Sequence, residues 1–388
     1  MRIFRVTLLP LDIPFVEQFA HATKTRHASD TLLLKLEAEG GGIGWGETLV
    51  RPYLSGETVA LTFSAMAELE PRLAGIEWRL DFAAATSEAR LRPLTQALDA
   101  LLAALPLPTG VRAWAGLRCA LELAILDVLL RAAGKGLDDL LPPVRKELVY
   151  SGVISAEDPE KSLKIARQLK QLGIQHYKLK VTPGTAIDVV RSVRDLIGSA
   201  ARLRLDANAS FSLEEAAAFC RAAEPLDVAA IEEPLRAATP VSLASLQSTT
   251  TIPIMVDEAL VTLADAATLI EHRSARMFNV RLAKCGGVAP CLALSALAET
   301  ASINLQLGAL VGETAILSAV GRALAASSER FHFVEGSYGT LLLKEDIGRQ
   351  SVRFGHGGRA PLLRGVGNGV DVDEAIVCKY LATNAGPR

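Results

Sequence analysis

The chain has no surplus of either charge: 41 lysines and arginines face 43 aspartates and glutamates, a formal net charge of −2 over 388 residues. A protein that binds nucleic acid or an anionic membrane needs clustered cations to neutralise phosphates, so neither partner is expected. Long apolar runs are also missing. The most hydrophobic segments are broken by charges well short of a bilayer's thickness, which argues against a membrane span. The opening Met1-Arg-Ile-Phe-Arg-Val has neither the apolar core nor the small-residue cleavage site of a secretory signal, and a cytoplasmic placement is expected. Cysteine is scarce, and Cys119, Cys220, Cys285, Cys291 and Cys378 form no CxxC pair. An odd number in this pattern argues against a disulfide framework or a structural zinc, and for small core residues in a reducing compartment. The glycine cluster Gly40-Gly-Gly-Ile-Gly-Trp-Gly46 neither matches GxGxxG nor opens a helix, which excludes a phosphate-cradling loop there.

What is present divides into two patterns. Met1 to Ile13 alternates as a strand, and Thr31 to Glu37 followed by the glycine cluster reads as a hairpin. From Thr58 to Ala133 the apolar spacing is helical, stopping at Gly134. From Val149 onward, short runs rich in branched residues begin near positions 149, 176, 201, 228, 252, 277, 303 and 331, with Ala/Leu/Glu-rich helical segments between most of them. A strand-helix repeat of this kind is one βα unit of a parallel sheet, and about eight in a row favour a TIM-type α/β barrel over a doubly wound sheet. The expected division is an α+β unit over residues 1–134, a barrel over 135–344, and a tail, 345–388, that packs back on the first unit.

Charged residues mark where the strands run out: "YKLK", "RLDAN", "IEEP", "MVDE" and "RLAK" close successive repeats. Counting from Lys180, the steps to Asp206, Glu232, Asp257 and Lys284 are 26, 26, 25 and 27 residues, so each is expected at an equivalent place in its unit. In a βα barrel those strand ends open on the one face where active sites are built. Taken singly, a strand-end aspartate is a cap or turn residue and a strand-end lysine a solvated one. Five in phase call for a common reason. Three carboxylates on adjacent strands repel one another unless a cation sits among them, and an all-oxygen set with open positions suits Mg²⁺. Lys178 and Lys180 lie two apart, on the same face of one strand.

These residues carry a family resemblance. Lys178-x-Lys180, Asp206-x-Asn208, Glu232-Glu-Pro234, Asp257-Glu258 and Lys284-Cys-Gly-Gly287 resemble the signature of the enolase superfamily, and within it the muconate lactonizing enzyme subgroup. "GIGWGET" and "RPYLSGET" are similar to that subgroup's capping domain. The resemblance implies a modified TIM barrel, (β/α)₇β, under an N-terminal α+β cap completed by the C-terminal tail. It also implies Mg²⁺ held by Asp206, Glu232 and Asp257, a small carboxylate substrate, and a homo-oligomer. The α-proton of the substrate would pass to Lys180, or to Lys284 on the opposite side, leaving a metal-stabilised enediolate, with Lys178 as helper. A free lysine titrates near 10.4, so a working base at neutral pH needs a downward shift of roughly three units, about 4 kcal/mol. A second ammonium, a nearby dication and partial burial all act in that direction.

An isomerase, either a racemase/epimerase or a cycloisomerase, is the leading expectation. A lyase resembling o-succinylbenzoate synthase and a non-catalytic carboxylate-binding barrel are the alternatives. The mandelate racemase branch needs a histidine near the seventh strand, and none lies between His272 and His332. Dipeptide epimerases that resemble this chain carry Asp-x-Asp near the end of the eighth strand, where only Glu335 is acidic here, which weakens an unblocked dipeptide as substrate. Glu313 falls about where muconate-type enzymes place a glutamate. Asn208 and Glu258 are expected to support the metal site. Substrate contacts are expected from Tyr53 and Arg26, in Arg51-Pro-Tyr53 and in a loop from Phe15 to Ser29 that also holds His21 and Lys24.

Overall fold

The fold comes from a computed structural model that describes residues 1–21, 24–154 and 158–382, with the side chains of residues 17–25 outside that description. Strands β1 (Ile3–Leu11), β4 (Thr31–Ala38) and β5 (Gly42–Thr48) form an antiparallel sheet in the order β1-β4-β5. Between them, β2 (Pro14–His21) and β3 (Lys24–Ala28) pair as a separate hairpin, with Pro14 opposite Ala28 and Phe19 opposite Arg26. The segment from Phe15 to Ser29 is therefore a hairpin rather than a loop. Backbone pairing decides this, and its polar sequence did not announce it. The side chains of His21 and Lys24 lie outside the description.

The glycine cluster works by absence of side chains. The turn residues Gly40 and Gly41 have φ of +81° and +80°, which only glycine adopts freely. Farther along β5, a Cβ on Gly44 would stand 2.1 Å from the Ala124 carbonyl oxygen, and one on Gly46 2.0 Å from that of Ala120. The bare strand thus lets the helix Ala115–Ala132 lie directly on the sheet. Residues 115–130 of that helix are all buried, the charged Arg118, Glu122 and Asp127 among them.

After β6 (Glu147–Val149), eight parallel strands follow: β7 (Gly152–Ile154), β8 (His176–Lys180), β9 (Arg202–Asp206), β10 (Val228–Glu232), β11 (Ile254–Val256), β12 (Met277–Val280), β13 (Asn304–Leu307) and β14 (Phe331–Val334). Each pairs with the next in sequence, and a parallel bridge between Tyr150 and Val334 joins the last strand to the start of the first. Helices cross over between successive strands, which gives (β/α)₇β with the cap above it. Ala230, Met255, Met277 and Phe333 pack together as a small apolar cluster separate from the main core. The guanidinium of Arg204 stacks 4.3 Å from the Phe333 ring. The tail contacts both units: β15 (Arg359–Pro361) pairs with β6, and Leu381 bridges Leu11. Cys119, Cys220, Cys285 and Cys291 are buried, whereas Cys378 is exposed, contrary to the core reading. Among the described residues no helix is long and apolar enough to cross a membrane.

Candidate active site

Parallel register sets Lys180 beside Asp206, and Asp206 beside Glu232. The three strand ends therefore form one tier at the barrel mouth. Asp257 follows directly after β11. Lys284 does not share this level: β12 ends at Val280, and Lys284 rides on a short helical turn, Leu282–Cys285. Its numbering is in phase with the others, but its place is not. The charged residue just beyond the end of β12 is Arg281.

Lys178 is buried at the centre of the tier. Its Nζ lies 3.0 Å from Asp206 Oδ2, 3.0 Å from Glu232 Oε2 and 3.2 Å from Glu335 Oε2. Burial works against its charge, but those three carboxylates outweigh burial and hold the ammonium well above the ordinary lysine value. Glu232 also accepts hydrogen bonds from Asn279 Nδ2 at 2.8 Å and Gln306 Nε2 at 3.1 Å. Burial would raise it, yet Lys178, Arg281 and Arg204 pull its carboxyl down to about 2. Asp206 goes up instead, because burial and the neighbouring Glu232 prevail over Lys178. Glu335 is shared with Arg204, whose Nη1 stands 3.1 Å from Glu335 Oε1.

Lys180, two residues along, is half-buried and donates to Asn208 Oδ1 at 3.0 Å. Its ammonium is pushed below the usual lysine value, first by burial and then by the charge of Lys178, with Asp206 opposing. Repulsion between the two lysines is real but secondary to burial. Lys284 contrasts with it: its Nζ donates to Asp257 O at 2.7 Å, Asp257 Oδ1 at 2.9 Å and Asn279 O at 2.7 Å, and it is fully buried.

A cavity of about 330 Å³ lies above the tier. Among the residues on its walls are Lys178, Lys180, Asp206, Asn208, Arg281, Glu313 and Glu335, together with Arg26, Arg51 and Tyr53 from the cap. Arg26 and Arg51 both bind Asp30, the latter through Nη1 at 2.6 Å. Burial pushes the Glu313 carboxyl up to about 7, against the pull of Leu310 N–H, Arg281 and Arg51. Glu232, Asp257 and Lys284 lie beneath the cavity, outside its walls. Glu258 faces a second cleft, of about 440 Å³, together with Glu233 and Arg112. Burial and the adjacent Asp257 carry its carboxyl well above the usual value.

The donor chemistry at the tier fits a cation, since the three carboxylates already share cations pairwise. Lys178 lies between Asp206 and Glu232. Arg281 Nη2 contacts Asp257 Oδ2 and stands 3.8 Å from Glu232 Oε1. With Lys178 and Arg281 standing between these carboxylates, no three His, Cys, Asp or Glu side chains among the described residues are placed to hold a metal ion. Sequence reasoning did not find Arg281 or Arg204, nor the pairing of Glu335 with Lys178. The signal for Arg281 was available, as a basic residue right after a strand, but the spacing drew attention to Lys284.

Comparison with known proteins agrees with this architecture. The profile of the enolase C-terminal domain-like family matches residues 162–376. The chain is 27% identical over 356 residues to an L-Ala-D/L-Glu epimerase of Bacillus subtilis, covering 89% of this chain and 91% of that one. It is 25% identical over 388 residues to a chloromuconate cycloisomerase of Cupriavidus pinatubonensis, covering 98% and 99%. The crystal structure of an N-succinyl Arg/Lys racemase from Bacillus cereus superposes with a TM-score of 0.84 at 24% identity over 98% of each chain.

Proposed function

Because the chain belongs to the enolase C-terminal domain-like family, we propose that it is an isomerase of small carboxylic acids. It moves a proton at the carbon α to the carboxylate, removing and returning it as a racemase or epimerase, or delivering it to the enediolate formed by ring closure as a cycloisomerase. The observation that carries this reading is Lys180, a lysine on the cavity wall whose ammonium is destabilised by burial and a charged neighbour. A general base needs access to the substrate and a lowered pKa, and Lys180 lines the cavity with its ammonium pushed below the usual lysine value. Asn208 Oδ1, 3.0 Å away, orients its Nζ. Lys178 stays charged and holds Asp206 and Glu232 in place.

Asp206, Glu232 and Asp257 would hold Mg²⁺, which when bound supplies positive charge where the substrate carboxylate gains a second negative one. At the cap, Arg26 and Arg51 share the single carboxylate of Asp30. That leaves one net positive charge for a second carboxylate or an amide oxygen, with Tyr53 beside it. Glu335 is taken up by Lys178 and Arg204, so a free α-ammonium finds no available counter-ion at the end of β14. Substrates with an acylated α-nitrogen, or with none, suit the cavity better than unblocked dipeptides. The same reading assigns residues 1–134 to the cap, 135–344 to the catalytic barrel and 345–388 to the segment completing the cap.

The test is α-proton exchange in D₂O with Mg²⁺, followed by proton NMR over a panel of N-acylated amino acids and dipeptides of both hands and of unsaturated dicarboxylic acids. Exchange from both hands is the expected result for an epimerase, and a new ring that for a cycloisomerase. If acids that demonstrably bind neither exchange nor cyclise, the enzymatic reading is wrong.

A further inference from the structure

The carboxylates assigned to the metal are already neutralised by the chain itself. Four ion-paired carboxylates, Asp206, Glu232, Asp257 and Glu335, meet four cations, Lys178, Arg204, Arg281 and Lys284. A dication entering this paired, buried cluster adds two charges that low-dielectric surroundings penalise heavily, and expelling one resident cation halves that excess.

Three of the four cations are firmly tied. Arg204 is fully buried, stacked on Phe333 and bonded through Nη2 to Ser151 Oγ at 2.8 Å. Lys284 donates to two backbone carbonyls as well as Asp257. Lys178 serves three carboxylates. Arg281, though buried, has the fewest partners of the four. Its single close partner is Asp257, its contact with Glu232 is 3.8 Å, and its Nε is buried without a hydrogen-bond acceptor. It also forms part of the cavity wall, so its guanidinium has somewhere to go.

We propose that Arg281 is a resident counter-cation that the metal displaces. Without metal it bridges Asp257 and Glu232; when the metal binds, the guanidinium leaves Asp257 and turns into the cavity beside Glu313 and Tyr53. Metal loading then frees a guanidinium already on the cavity wall from Asp257, so that it can meet a substrate carboxylate. The inference rests on the reading of Asp206, Glu232 and Asp257 as the metal site.

Calorimetric titration of Mn²⁺ into the wild type and Arg281→Gln, both free of substrate, tests it. The variant has no guanidinium to expel and is expected to bind Mn²⁺ roughly tenfold or more tightly. Equal or weaker binding in the variant would mean that Arg281 merely supports the carboxylates, and overturns the proposal. Because the substitution removes a partner of Asp257, a second measurement uses the unaltered protein, crystallised with and without Mn²⁺. The Arg281 guanidinium is expected beyond about 4 Å from Asp257 once the metal is bound. An intact Arg281–Asp257 pair next to bound Mn²⁺ overturns the proposal but leaves the metal reading standing, whereas a wild type that binds no Mn²⁺ overturns both.

Discussion

The two sides of the barrel mouth treat the same residue type in opposite ways. On the β8 side, Lys180 ends its strand, opens on the cavity and has one hydrogen-bond acceptor, Asn208. On the β12 side, Lys284 sits on a helical turn beneath the cavity, with three oxygens within 2.9 Å of its Nζ. One ammonium is left under-satisfied, and the other has a full set of partners. In the proposed reading, the sparsely bonded Lys180 transfers the proton and the fully bonded Lys284 holds the site together.

Substitutions can break this contrast. The largest expected effect is that of Lys180→Ala, which should lower α-proton exchange by about 10³-fold, within the range for loss of a general base. Its stability to urea should change by less than about 1 kcal/mol, since one half-buried hydrogen bond is lost. Lys284→Met should act on folding instead. It leaves Asp257 and two carbonyls without their donor in a buried place, and roughly 3 to 5 kcal/mol of stability should disappear in urea denaturation. If Lys284→Met is as stable as wild type, the contrast is wrong.

Asn208→Gly gives a finer test. Glycine keeps the positive φ of 42° that Asn208 adopts, while the acceptor for Lys180 is removed. The exchange rate should fall roughly tenfold, the cost of one such hydrogen bond. The smallest effect lies in the pH profile of the wild type. As the proposed base, Lys180 works as its neutral amine, and its pKa is lowered by burial and Lys178. Exchange should therefore rise with pH and level off below 10.5, the ordinary lysine value. In Asn208→Gly the midpoint should shift by a few tenths of a unit at most.

Much of this architecture was legible in the sequence because parallel strands buried on both faces read as apolar runs, and each run ended in a charge. "YKLK", "RLDAN" and "IEEP" are read correctly as strand ends because β8, β9 and β10 each stop at the charged residue. "RLAK" misleads because the chain leaves β12 at Val280 and turns helical, so constant spacing no longer means constant level. The pairings of Arg281 and Glu335 were hidden for another reason. Their partners lie on other strands, as with Lys178 and Glu335, 157 residues apart. Such pairings depend on how the strands are brought round into a barrel rather than on any local pattern.

Chemical rescue is the most direct test of the central claim, that Lys180 is the base facing the substrate. Small primary amines added to Mg²⁺-loaded Lys180→Ala should restore α-proton exchange in D₂O, with a rate that rises with amine concentration and basicity. The same amines should do nothing for Lys284→Ala. Rescue of Lys284→Ala but not of Lys180→Ala would contradict the account and place the working base on the β12 side.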